Sequence, residues 1–157
     1  MATLTLADAQ NECELLRRQG RVIVFTNGHF DLLHAGHLDY LEKARALGDV
    51  LFVGLNGDAS TQLLKGAGRP IVPAAERARL LAALRVVEGV IIFEEATADT
   101  VIRALQPDIY VKGGDYHDKP LPERPTVEAC GGRVELVDLL PDHSTTALIQ
   151  KIQALPR

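Results

Sequence analysis

Two histidines three positions apart, His34 and His37, flank an Ala35-Gly36 pair shortly after an apolar run that closes on Thr26-Asn27-Gly28. If both fall in the first turn of a helix, their rings leave one face and can grip one ligand together. A helix start beside a strand end suits an anion, above all a polyphosphate, and Gly36 lets it come close. Two other uses of such histidines stay open: capping or core packing, and metal binding with His29. No obvious carboxylate or thiol completes a metal set, so no metal site is expected among the protein's residues. Lys65 precedes Gly66-Ala67-Gly68 and reads either as a solvated helix-end cation or as a partner for phosphates. In Lys112-Gly113-Gly114-Asp115 the glycines admit a base or ribose to the backbone, and Asp115 can accept from a hydroxyl; the other use is a plain turn. Ser144-Thr145-Thr146 opens the last helical pattern and serves as an N-cap or as a phosphate cradle. Arg69, Arg77 and Arg79 read as surface or interface residues, with Arg77 the one placed to reach an anionic substrate.

These residues need a scaffold that brings successive strand ends together. Apolar runs at 22–25, 50–55, 89–93, 108–111 and 134–137 read as five strands. Helical patterns cover 4–19, 36–47, 58–65, 74–86, 97–105, 126–130 and 144–154, with Asp58 and Ser144 as N-caps and Pro73 at a helix start. Segments 66–73 and 113–125 hold the breakers and read as loops. The strand runs are continuously apolar and alternate with helices. That pattern predicts an α/β fold, a single open doubly wound parallel sheet covered on both faces. Ligands of such sheets lie beyond the carboxyl ends of the strands, where the polar clusters fall.

The chain has 157 residues, 46% hydrophobic and 24% charged, with a net charge of −4. One domain over 1–157 is expected, residues 1–20 forming a leading amphipathic helix. No Lys/Arg block is present, which argues against nucleic acid as a partner. No apolar run nears the ~18 residues of a membrane span, and residues 1–20 lack a signal-peptide core. Cys13 and Cys130 lie far apart and read as reduced thiols of a cytoplasmic protein. No Gly-x-Gly-x-x-Gly follows the first strand, and neither a P-loop nor a Gly-x-Ser-x-Gly elbow occurs. A flavodoxin-like redox domain is disfavoured by three Tyr, four Phe and no Trp. A nucleotide sensor without turnover is the remaining non-enzymatic reading.

Thr26-Asn27-Gly28-His29-Phe30-Asp31 followed by His34-Ala35-Gly36-His37 resembles the signature of the HxGH nucleotidylyltransferases. Ser144-Thr145-Thr146 resembles that superfamily's second phosphate motif, although Ile149 stands where a basic residue is frequent. Four further stretches are similar to the free-standing D-glycero-β-D-manno-heptose 1-phosphate adenylyltransferases. These are Asn56-Gly57-Asp58-Ala59-Ser60, Leu64-Lys65-Gly66, Gly68-Arg69-Pro70-Ile71-Val72-Pro73 and Val111-Lys112-Gly113-Gly114-Asp115-Tyr116. The resemblance covers nearly the whole chain and implies a Rossmann-like domain. It implies attack of a sugar 1-phosphate oxygen on the α-phosphorus of ATP, releasing pyrophosphate and an ADP-sugar. The alternative is a cytidylyltransferase acting on glycerol 3-phosphate or another small phosphate. Carried over, the resemblance makes His34, His37 and Lys65 catalytic. It assigns Thr26, Asn27, Gly28, His29, Phe30, Gly36, Gly113, Asp115, Ser144, Thr145 and Thr146 to the nucleotide. It assigns Asp31, Asn56, Asp58, Arg77 and Lys112 to the acceptor. Mg²⁺ would be bridged by the substrate's phosphates, and the protein would be a homodimer.

Overall fold

A computed structural model describes residues 2–156. Six parallel strands form one open sheet in the order β1-β4-β3-β2-β5-β6. They are β1 (Ala2–Leu4), β2 (Ile23–Gly28), β3 (Val50–Asn56), β4 (Gly89–Phe93), β5 (Ile109–Gly113) and β6 (Arg133–Val137). The helices are α1 (Leu6–Arg18), α2 (Ala35–Arg45), α3 (Asp58–Lys65), α4 (Ala74–Ala82), α5 (Asp99–Leu105), α6 (Arg124–Ala129) and α7 (Thr145–Gln153). Successive strand residues face opposite sides, so a strand covered on both faces must be apolar throughout. In β2, Ile23 and Phe25 join a core with Ala9 and Cys13 of α1, Ile102 of α5 and Val127 of α6. Val24 joins the other core, with Leu41 of α2 and Ala78 and Leu81 of α4.

The expected doubly wound parallel sheet is present, with corrections at its edges. The leading helix does not begin at residue 4: Ala2–Leu4 pairs with β4 as a sixth strand. Thr5 then caps α1, its Oγ1 accepting from the Asp8 N–H at 3.1 Å. Three residues are too few for periodicity to separate from the helix that follows. The helix expected over 74–86 stops at Ala82, and the one expected over 97–105 starts at Asp99. Segment 113–125 contains a 3-10 turn at Gly114–Tyr116 and the start of α6.

Strand β2 lies between β3 and β5. The chain leaves β2 toward one half of the sheet and returns on its other side at β5. This reversal opens a crevice above the carboxyl ends of β2 and β5, where a doubly wound sheet places its ligand.

Candidate active site at the sheet reversal

The connection from β2 to α2 is held in an unusual shape. Phe30 and Leu32 have φ of 46° and 53°, the left-handed region, which costs a non-glycine residue about 1–2 kcal/mol. Asp31 between them explains why the shape persists. Its buried carboxylate accepts from the Arg69 Nε at 2.7 Å, the Ile71 N–H at 2.8 Å and the Val72 N–H at 3.0 Å. Its carbonyl accepts from the Thr145 hydroxyl at 2.6 Å. One residue thus ties the β2–α2 loop, the 66–73 loop and the start of α7 together. Burial alone would raise the Asp31 pKa, but the bonds from Ile71, Val72 and Arg69 hold it below the usual carboxylate range.

That loop delivers His34 as the N-cap of α2 and His37 to its first turn. The His34 Nδ1 accepts from the Gly36 N–H at 3.1 Å, and the His37 Nδ1 faces the His34 N–H at a longer 3.4 Å. With both Nδ1 atoms accepting from backbone, each ring carries its proton on Nε2. The rings stack with centroids 3.8 Å apart. Burial, then the neighbouring His34, pushes the His37 pKa down to about 4; burial and His143 lower that of His34. Both are therefore neutral donors near pH 7. The His34 Nε2 is buried and has no hydrogen-bond partner, a position that requires an acceptor from elsewhere. Gly36 is needed on steric grounds: a Cβ there would lie 2.7 Å from the His143 Cβ and 3.0 Å from the His34 ring.

Two adjoining cavities meet here. The smaller, about 310 Å³, gathers His34, Gly36 and His37 of α2 with Arg69, Lys65 and Ser144, Thr145 and Thr146 at the start of α7. The first turns of two helices thus face one space lined by cations and hydroxyls, a setting for a polyanion. The larger, about 470 Å³, is lined by Asn27, Gly28, Tyr40, Asn56, Lys112, Gly113, Asp115, Tyr116 and Glu123, among others. His29, Phe30, His37 and Lys65 line both. Lys112 donates to the Asn27 carbonyl at 3.2 Å and lies 5.5 Å from the Tyr116 ring centre. Burial pushes its pKa down to about 8 against the opposing pull of Glu123 and Asp115.

Four residues expected at a ligand are bonded within the frame. Thr26 is fully buried, its hydroxyl shared with the Tyr40 hydroxyl at 2.7 Å and the Val111 carbonyl at 3.0 Å, so it does not face the nucleotide space. Arg77, only 1% exposed, spends its guanidinium on the Val72, His29 and Asn56 carbonyls and on Asp58. Asp58 accepts from Arg77 and the Ala74 N–H and lines neither cavity; Gly57, not Asp58, is the N-cap of α3. Asp31 borders the smaller cavity, but its carboxylate is already bonded three times. Arg77 sits at helical spacing from the core residues Ala74, Ala78 and Leu81, a signal in the sequence that it faces inward. Arg69, expected at the surface, instead borders the smaller cavity, as does His143. Of the larger cavity's lining, Tyr116 stood in the Val111–Tyr116 stretch without an assigned contact, and Glu123 carried no motif role. Gly113 and Asp115 are brought to Lys112 and Asn56, not to Ser144.

The sequence profile described as cytidylyltransferase-like matches residues 25–151. The bifunctional protein HldE of Syntrophotalea carbinolica is 52% identical over 139 residues, 88% of this chain and 28% of that protein. HldE of Geotalea uraniireducens is 53% identical over 137 residues, 87% of this chain and 28% of that protein. The chain thus spans 28% of the length of these relatives. A crystal structure of the lipopolysaccharide core biosynthesis protein from Thermoplasma volcanium superimposes with a TM-score of 0.64 at 28% identity, covering 77% of this chain and 98% of that one. With its six-stranded parallel sheet and a profile match from β2 into α7, the chain belongs to the cytidylyltransferase-like family.

Proposed function

We propose that this protein is an adenylyltransferase that joins ATP to a sugar 1-phosphate, D-glycero-β-D-manno-heptose 1-phosphate being the acceptor favoured. A phosphate oxygen of the acceptor attacks the α-phosphorus of ATP. The bond from that phosphorus to the bridging α,β-oxygen breaks, and pyrophosphate leaves with the electron pair. A phosphate monoester has a second pKa of about 6, so the nucleophile is already ionised at neutral pH and no general base is needed. What the site must supply is alignment of two mutually repelling anions and stabilisation of the charge on the transferred and departing phosphates. One observation carries this reading. Two imidazoles, fixed by backbone bonds as Nε2–H donors, face the first turn of α7 across one cavity. That cavity joins a second, polar one through Lys65. The triphosphate occupies the smaller cavity, and Lys65 bridges it to the acceptor in the larger. Asn56 and Lys112 bind the acceptor, and Gly113 and Asp115 hold the ribose from the wall of the larger cavity.

Mg²⁺ enters with the triphosphate as part of the substrate. The smaller cavity offers imidazoles, hydroxyls and cations, and its one carboxylate, Asp31, is committed to Arg69 and two backbone N–H groups. That donor set does not suit a protein-held Mg²⁺, which takes oxygen ligands. No helix among the described residues is long and apolar enough to cross a membrane. The free thiols of Cys13 and Cys130 suit the reducing cytoplasm, where we place the protein. A homodimer follows from the family resemblance, and the exposed Leu15 of α1 is a candidate contact.

Pyrophosphate release tests the reading. ATP with the heptose 1-phosphate should give turnover, and CTP with glycerol 3-phosphate should not. The reverse pattern would make the protein a cytidylyltransferase, and ATP binding without release under any pairing would make it a sensor.

A further inference from the structure

We propose that His29 is a specificity-determining residue: its Nε2 lone pair accepts a hydrogen bond from the acceptor hydroxyl next to the reacting phosphate. The inference rests on the adenylyltransferase reading for its substrate, but its first premise is independent of it.

That premise is the tautomer. The His29 Nδ1 lies 2.9 Å from the Thr61 hydroxyl, and the same hydroxyl donates to the Asn56 carbonyl at 3.3 Å. A hydroxyl has one proton to give. With that proton on Asn56, Thr61 is the acceptor toward His29, so His29 carries its proton on Nδ1 and a lone pair on Nε2. The surrounding charge favours the same arrangement. Lys65, Arg77, Lys112 and Arg69 are the charged groups acting on the ring, and a lone pair is better placed among cations than an N–H. Burial and these four cations keep the imidazole neutral, with a pKa near 4. His29 is therefore the opposite of His34 and His37, which turn protons toward their ligand.

The second premise is position. His29 lines both cavities, at the place where donor and acceptor must meet. A lone pair there repels an unprotonated phosphate oxygen and attracts a hydroxyl. On a sugar 1-phosphate, the hydroxyl on the carbon next to the phosphorylated one is nearest to the reacting phosphate. A site acceptor matched to a hydroxyl rejects the analogue that lacks it.

Two measurements decide the proposal. Nitrogen-15 NMR of the full chain reads each ring nitrogen as protonated or bare. His29 should show a bare Nε2 and a protonated Nδ1, with the opposite pattern at His34 and His37. A protonated Nε2 on His29 would overturn the proposal without touching the adenylyltransferase reading. In pyrophosphate release, the wild type should show about a tenfold higher KM for 2-deoxy-heptose 1-phosphate than for the heptose 1-phosphate. His29→Leu should show that higher KM for both acceptors. His29→Gln, whose Oε1 stands near the place of Nε2, should recover most of the difference. A deoxy penalty that persists in full in His29→Leu, or one that appears with 2′-deoxy-ATP instead, would overturn it. Loss of turnover with every sugar phosphate would remove the functional reading, and the hydroxyl assignment with it. Circular dichroism of both variants separates a folding defect from a lost contact.

Discussion

His37 is held by the backbone on one side of its ring and offers a proton on the other, as a preorganised charge-stabilising donor must. Removing one such donor typically costs 10²–10³ in turnover. His37→Ala should therefore lower kcat by roughly that factor with far-ultraviolet dichroism unchanged; unaltered turnover would remove His37 from the mechanism. The same imidazoles make stability depend on pH. His29 and His37 each fall from 6.5 to about 4 in the folded protein. Between those values the unfolded chain binds more protons, so the stability they contribute is complete above about pH 6.5. It is lost as pH falls toward 4. Urea midpoints should drop across that window with an uptake of about two protons on unfolding. The slope should shrink in His37→Ala, and an equal slope in wild type and variant would contradict the assigned burial of that ring.

At the scale of elements, the site is three segments pinned together by polar side chains bonded to one another and to the backbone. Arg77→Met removes one donor each from the Val72, His29 and Asn56 carbonyls and from Asp58, and should cost at least about 1–3 kcal/mol in urea unfolding. A substrate-binding arginine would instead raise KM at constant stability. Gly36→Ala should do the converse. Alanine favours a helix by up to ~1 kcal/mol over glycine, but here its Cβ meets the His143 Cβ and the His34 ring. Turnover should fall at least tenfold with stability no higher than wild type, the clash offsetting the helix gain, and unchanged turnover would show that the His34 ring can move without consequence. Much of this level was legible in the sequence. The continuous apolar runs of β2 to β5 announced a sheet covered on both faces, and Ser144 announced the start of α7. The direction of Arg69 was not legible, because in a loop it differs from a surface arginine only in what surrounds it after folding, whereas Arg77 carried a local signal in its helical spacing from Ala74, Ala78 and Leu81. The carboxylate of Asp31 belongs to the same class: its partners lie 38 to 41 residues away. Strand β1 escaped because its pairing with β4 is a contact between chain segments and leaves no local periodicity.

For the molecule as a whole, the net charge of −4 makes a polyanion ligand improbable on average charge alone. The fold resolves this by concentration. Four of the five histidines, with Lys65 and Arg69, border the smaller cavity beside the sheet reversal. Both helices that begin there point their first turns into it, so a local field favours a triphosphate on an acidic protein. The most direct test is a crystal structure with Mg²⁺ and the non-transferable analogue α,β-methylene-ATP. The triphosphate should lie within hydrogen-bonding distance of Nε2 of both His34 and His37, with its other oxygens on the N–H groups that open α7. A nucleotide bound away from the two rings, or one that meets them with its base, would contradict the account.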